Sequence, residues 1–257
     1  MADFETLRYE VDGGLCRLTL DRPEHMNGMT NRMIREARDA LELAAADSSI
    51  RVLVLTGSGK AFCPGADLKH FASGGADERL TTSDLKVTTL LHEIPAVTVA
   101  AINGACAGAG MGWALACDLR FMAASAKLNT AFLDVAVAGD MAIPWSLPRL
   151  VGATRARDLS FLPRRIEAEE ALRIGLVSRV FDDESFRDQT EAALTALLEK
   201  SPTALVGLKE NYVMAERMTF GDFVDYEAER HLRIASSADT AEAFRAFVEK
   251  RKPRFTS

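Results

Sequence analysis

Two glycine-rich turns carry the residues best placed for chemistry in this 257-residue chain. The first reads Ala61-Phe62-Cys63-Pro64-Gly65-Ala66-Asp67-Leu68 and follows the apolar run Arg51–Thr56. Gly65 permits a backbone geometry that leaves the next amide unpaired, and Asp67 can cap a short helix starting there. The second follows Ala96–Ala101 and Asn103-Gly104, where Gly108-Ala109-Gly110 opens a helix of small residues. The first N–H groups of a helix lack intrahelical partners and carry partial positive charge. Two such amides, converging from separate strand ends, make a hole for an oxygen that gains negative charge during a reaction. Losing one donor of that kind costs roughly 3–4 kcal/mol of transition-state stabilisation. A single glycine-rich turn is ordinary punctuation in an α/β protein, so the reading rests on there being two.

Two acidic side chains farther along the chain are candidates for moving a proton. Asp140, in Val137-Ala138-Gly139-Asp140, is followed by the apolar Met141, Ile143 and Trp145. An unperturbed Asp, at ~3.9, is a weak base, and burial raises that value. The alternative role for Asp140 is to cap a helix beginning near Ile143-Pro144. Asp134 is a competing carboxylate: on an extended segment it shares a face with Phe132, though exposure or a salt bridge is its ordinary fate. His25, His70, His92 and His231 have no Ser, Cys or carboxylate at a recognisable spacing, so a nucleophilic triad is unsupported. Cys63 and Cys106 flank the two turns without an activating base and read as buried, inert thiols. Trp113 and Trp145 suit a pocket wall or a packed core equally well.

These residues need a scaffold of strands and helices. Leu7–Val11 and Leu15–Leu20 flank Asp12-Gly13-Gly14, a hairpin signal. Thr30 is a candidate N-cap for a helix to Ala46 with Met33, Ala37, Leu41 and Ala44 on one stripe. Arg51–Thr56, Ala96–Ala101 and Leu119–Ala123 are short apolar runs separated by helical segments, which implies a mostly parallel sheet. Residues 70–85 are polar and Gly-rich and predict a mobile loop leading into a helix over Leu85–His92. After Gly152 the only strand-like run is Val177–Val180. Glu184–Lys200, Pro202–Arg217, Gly221–Ala235 and Ala238–Lys250 have helical spacing, with Pro202 in a first turn. No internal repeat is visible.

Bulk composition narrows the class. With 31 basic and 37 acidic residues the net charge is −6, which argues against nucleic acid as the main partner. Cys16, Cys63, Cys106 and Cys117 show neither C-x-x-C pairing nor zinc spacing, and no signal peptide precedes them, so reduced thiols and a cytoplasmic location are expected. No apolar run reaches the ~18 residues of a membrane span.

The pair of turns, together with Pro95–Leu150, resembles the signatures of the enoyl-CoA hydratase/isomerase (crotonase) family. The opening LDRPEHMNGMT and the closing AFVEKRKPRF are similar to that family's ends, so the resemblance covers nearly the whole chain. It implies an α/β fold: a β-β-α spiral core over residues 1–195 that holds an acyl-CoA site, and a helical trimerisation subdomain over 196–257. It also implies a trimer or dimer of trimers and no cofactor beyond the coenzyme A of the substrate. The oxyanion donors map to Ala66 and Ala109. Gly65, Asp67, Leu68, Lys69, Phe132, Trp145, Phe247 and Lys250 map to the acyl-CoA site, the last two often reaching a neighbouring subunit. The chain departs from a hydratase where it matters most. The two glutamates that share the water chemistry fall on Gly112 and Phe132, neither of which handles a proton. Asp140 matches the aspartate of the family's isomerases, although Met141-Ala142-Ile143-Pro144 stands where that subgroup usually continues with two glycines, which adds bulk beside the reacting atoms. Double-bond isomerisation by Asp140 is the leading expectation. A non-catalytic acyl-CoA binder and a hydratase with a non-standard acid/base are the alternatives.

Overall fold

The computed structural model describes residues 4–74 and 79–255. The Asp12-Gly13-Gly14 signal makes a hairpin of β1 (Leu7–Asp12) and β2 (Leu15–Leu20), with Asp12 opposite Leu15. Gly13 and Gly14 both have positive φ, as a tight turn between twisted strands requires. β2 then pairs in parallel with β3 (Val52–Gly57), which pairs with β5 (Val97–Ile102). β7 (Leu119–Ala123) and β10 (Arg179–Phe181) complete a six-stranded sheet, all parallel beyond the hairpin. A second sheet holds four short strands: β4 (Ala61–Cys63), β6 (Ala105–Ala107), β8 (Lys127–Asn129) and β9 (Ile166–Glu167). β3, β5 and β7 each run on into a short strand of this second sheet. That repeated step is the β-β-α spiral.

Helices close both faces of the large sheet. α1 (Asn31–Ala46) starts at Thr30, whose hydroxyl accepts from Met33 N–H at 3.2 Å. Its predicted stripe of Met33, Ala37, Leu41 and Ala44 is buried. α2 (Leu68–Ala72), α3 (Val87–Glu93) and α4 (Gly108–Ala116) follow, and α4 is buried along nearly its whole length. Trp113 of α4 lies wholly in the core, which settles its role as packing. α5 (Ile143–Val151), α6 (Ala153–Phe161) and α7 (Ala168–Arg173) precede the C-terminal group. That group is α8 (Phe186–Leu198), α9 (Pro202–Ala215), α10 (Phe220–Ala235) and α11 (Ala238–Val248). α8 seals the opposite face of the large sheet with Ala193 and Leu194 against Val52, Val54 and Val99.

Several expectations are corrected. The strand predicted at Val177–Val180 begins two residues later: Leu176 and Val177 are core side chains in a bend, and the ladder starts at Arg179 opposite Phe121. β9 escaped notice because two residues carry no alternation. Within 70–85, α2 occupies the start, residues 75–78 lie outside the described residues, and the predicted Leu85–His92 helix opens as a 3-10 turn over Asp84–Lys86. Asp84 explains that start: its carboxylate accepts from the Thr81 N–H at 2.7 Å and pairs with Arg38.

Candidate active site

One bridge frees the first amide. Met29 N–H donates to Gly65 O at 2.8 Å, and Asp67 N–H donates to Met29 O at 2.9 Å. In this parallel pairing Met29 engages the groups on either side of Ala66, so the N–H of Ala66 itself points away from the bridge. Gly65 turns the chain there at φ +94°. The loop that supplies Met29 is latched onto the same turn. Arg22 pairs with Asp67 at 3.0 Å, and the fully buried Asn27 donates to Ser58 O at 2.9 Å and Ala61 O at 2.8 Å.

The second amide belongs to α4. The helix starts directly after β6 with no side-chain cap, so the Ala109 N–H in its first turn has no helical partner. The two turns meet closely. A Cβ built on Gly65 would lie 3.1 Å from Ala107 O and 3.5 Å from Ala109 N. α4 also presses onto β4, because a Cβ on Gly110 would fall 2.2 Å from Cys63 O. Ala66 is exposed while Ala109 is buried, so the pair lies at the lip of the structure, open to a ligand on one side.

The carboxylate comes from the segment 131–142. Ala131, Ala136, Met141 and Ala142 all adopt positive φ, at 54°, 58°, 45° and 59°. Left-handed backbone costs a non-glycine residue roughly 1–2 kcal/mol, and such strain concentrates at functional sites. Met141 packs onto Gly112, where a Cβ would fall 2.4 Å from the Met141 Cβ. Gly112 lies three residues after Ala109, about one turn along the same face of α4. Asp140 is therefore carried on the turn that packs, through Met141, against Gly112 in the second turn of α4. Its side chain caps nothing: the N-cap of α5 is Ala142, without a side-chain bond, and only the Asp140 carbonyl takes the Ile143 N–H, at 3.1 Å. Burial pushes the Asp140 carboxyl above its ordinary value. The residue as a whole keeps an exposed surface, so the carboxyl is desolvated yet reachable.

Phe132 is buried beside this loop, its Cδ2 3.8 Å from where a Gly139 Cβ would stand. Asp134 does not share its face. The segment is a 3-10 turn over Leu133–Val135, in which residues two apart diverge, and Asp134 is exposed. Asp67 caps α2 through the His70 N–H at 3.0 Å, and that bond with Arg22 outweighs burial to hold its carboxyl low. Leu68 and Lys69 project from α2 into solvent. Trp145 lies in the first turn of α5. Its ring stacks under Arg149 at 3.8 Å and against His92 at 5.4 Å, lining a cavity of about 440 Å³ with Asp118, Arg120 and Tyr212. Phe247 and Lys250 sit at the exposed end of α11, which packs on α10. Burial pushes the Cys63 thiol up to about 12 and the Cys106 thiol well above its ordinary value, so both stay protonated. A cavity of about 660 Å³ lies between the large sheet and α8 and borders none of Ala66, Ala109 or Asp140. Among the described residues no cluster of His, Cys, Asp and Glu could hold a metal ion. Sequence reasoning missed Arg22, Asn27 and Met29, although Asn27-Gly28 is a turn signal that could have drawn attention to that loop.

Comparison with known proteins agrees with this architecture. The enoyl-CoA hydratase/isomerase family model matches residues 10–257. The "Probable enoyl-CoA hydratase" of Rhodobacter capsulatus is 36% identical, covering 98% of each chain. The 1,2-epoxyphenylacetyl-CoA isomerase of Escherichia coli is 34% identical, again over 98% of each. Among solved structures, the enoyl-CoA hydratase of Bacillus anthracis superposes with a TM-score of 0.90 at 28% identity, over 98% of this chain and 99% of that one. A crotonase spiral matched from end to end, by sequence and by backbone, places this chain in the enoyl-CoA hydratase/isomerase family.

Proposed function

We propose that this protein is an enoyl-CoA isomerase in which Asp140 carries the proton while the amides of Ala66 and Ala109 hold the thioester oxygen. The observation that supports it is a desolvated carboxyl, free of capping duty, on the turn whose Met141 packs against Gly112 of α4. In a 3-enoyl thioester the Asp140 carboxylate takes a proton from C2. The C–H electrons pass into a dienolate whose oxygen accepts from the two amides. Asp140 then returns the proton to C4, and the double bond lies between C2 and C3. Nothing is consumed. Hydration would need a second proton-handling group, and the positions where hydratases carry glutamates hold Gly112 and Phe132. Lys69, with Phe247 and Lys250 of a neighbouring subunit, would hold the nucleotide end of coenzyme A. Residues 196–257 would build a trimer or a dimer of trimers, in the cytoplasm.

The test is Asp140→Ala assayed on 3-enoyl-CoA esters of several chain lengths. Isomerase turnover should fall by about 10²–10⁴, the contribution of a positioned general base, while acyl-CoA affinity stays within a few-fold. Turnover unaffected by the change sinks the assignment. Tight acyl-CoA binding by a wild-type protein that turns over no enoyl-CoA marks a carrier instead, and water addition that survives in Asp140→Ala marks a hydratase with another acid/base.

A further inference from the structure

Gly112 is more than a lost glutamate. A Cβ at this position would stand 2.4 Å from the Met141 Cβ, 2.7 Å from the Met141 carbonyl oxygen and 3.3 Å from its carbonyl carbon. Two of these three atoms are main chain, so no rotamer change of Met141 makes room. Any side chain at 112 must push back the turn that carries Asp140. That turn has little freedom to move and still keep its shape. Gly139, Met141 and Ala142 have φ of 97°, 45° and 59°, and the Trp145 and Ser146 amides both close on Ala142 O, at 3.0 and 2.9 Å. Below it, Met141 is buried with its sulfur 3.9 Å from the Thr88 hydroxyl of α3, and Ile143 is fully buried.

We infer that Gly112 is a positioning residue for Asp140: its missing side chain is the seat in which the Met141 backbone rests, and that seating points Asp140 at the acyl site. A glutamate at 112 and an aspartate at the present place of 140 then exclude each other in this backbone. The chain carries its proton chemistry on one carboxylate because α4 and the 139–142 turn leave room for one. The catalytic consequence rests on the isomerase reading, whereas the seating does not.

The experiment compares Gly112→Ala, Met141→Gly and the double variant. Met141→Gly removes the atom at 2.4 Å and suits the positive φ; its own unfolding free energy, lost core packing included, is the reference, and should Gly112→Ala unfold, a folded double variant carries the comparison. In denaturant unfolding the double variant should be more stable than the two single changes predict by addition. Additive effects overturn the seating. In turnover, Gly112→Ala should lower kcat at least tenfold with KM within twofold, and Met141→Gly in the same chain should restore part of the loss. The Asp140 carboxyl, titrated by carbon-13 NMR, should change its midpoint in Gly112→Ala and move back in the double variant. A folded Gly112→Ala with wild-type kcat and an unmoved Asp140 midpoint overturns the proposal. If the wild-type protein lacks isomerase turnover, the isomerase reading fails by itself, and the unfolding cycle with the NMR titration still decides whether Gly112 seats the turn.

Discussion

Asp140 sets two opposing demands on a single side chain: to be a base it must be charged, and to be a strong base it must be poorly solvated. Burial raises its pKa in the folded protein, with no ion pair or hydrogen bond to bring it back down. Between the unfolded value, ~3.9, and the higher folded value, the native state holds more protons than the unfolded chain. The group's contribution to stability is therefore fully present below ~3.9 and is lost as pH rises through the folded pKa. Asp140→Asn should thus raise the denaturation midpoint at pH 7 and leave it near wild type at pH 3.5, the reverse of replacing a salt-bridged aspartate. The same titration should appear as the acidic limb of kcat/KM in the wild-type enzyme, above the ordinary carboxylate range. Equal midpoints for the two proteins at pH 7 contradict the desolvation. The roles given to Asp140 and to the Ala66 and Ala109 amides rest on the family resemblance, while the two glycine-rich turns themselves were legible from residue type and spacing. The Met141–Gly112 seat was not, because it depends on two non-glycine residues in the left-handed region, a conformation their side chains disfavour.

Between elements, the tie that matters most is a buried charge pair. Lys209 of α9 reaches the carboxylate of Asp118, just before β7, with its Nζ 2.6 and 2.7 Å from the two oxygens. The Lys209 side chain is 2% exposed, and the same carboxylate accepts from the Thr98 N–H of β5 at 2.8 Å. The two ends differ: Asp118 is 27% exposed and keeps the Thr98 donors, whereas a Lys209 ammonium left alone is stranded where water scarcely reaches. Asp118→Asn should cost about 3 kcal/mol in denaturant unfolding, and Lys209→Met in the same chain should recover part of it. A loss below about 1 kcal/mol means water already solvates the pair. No periodicity announces such a link: Lys209 lies within an otherwise readable helix, and its partner is 91 residues away. Strands and helices with strong apolar patterning, such as β7 and α1, were legible to within a residue or two. The second sheet was not, since β4, β6, β8 and β9 have two or three residues each, too few to show an alternation.

For the molecule as a whole, the imbalance lies in its C-terminal surface. Phe220 is 85% exposed, Phe247 84% and Val248 79%, with Leu232 and Phe244 also open on α10 and α11. A core that buries Trp113, Phe62 and Phe121 completely leaves these large apolar groups in water on one group of helices. Each buried methylene contributes about 0.8 kcal/mol, so several such side chains outweigh the mild repulsion between copies of net charge −6. A partner covering them removes the imbalance, and a second and third copy of this chain is the arrangement the family resemblance implies. Sedimentation at micromolar concentration should therefore give three or six times the 28.0 kDa chain mass. Leu232→Asp combined with Phe244→Asp should shift that mass to the monomer while leaving the far-ultraviolet circular dichroism unchanged, since neither side chain belongs to the core of its own copy. If Phe247 and Lys250 serve a neighbour's acyl-CoA site, the same double change should also weaken acyl-CoA binding, although both residues it alters lie outside the oxyanion turns. A wild-type protein that sediments as a monomer at this concentration, with acyl-CoA affinity intact, removes the trimer and returns the acyl-CoA site to one chain.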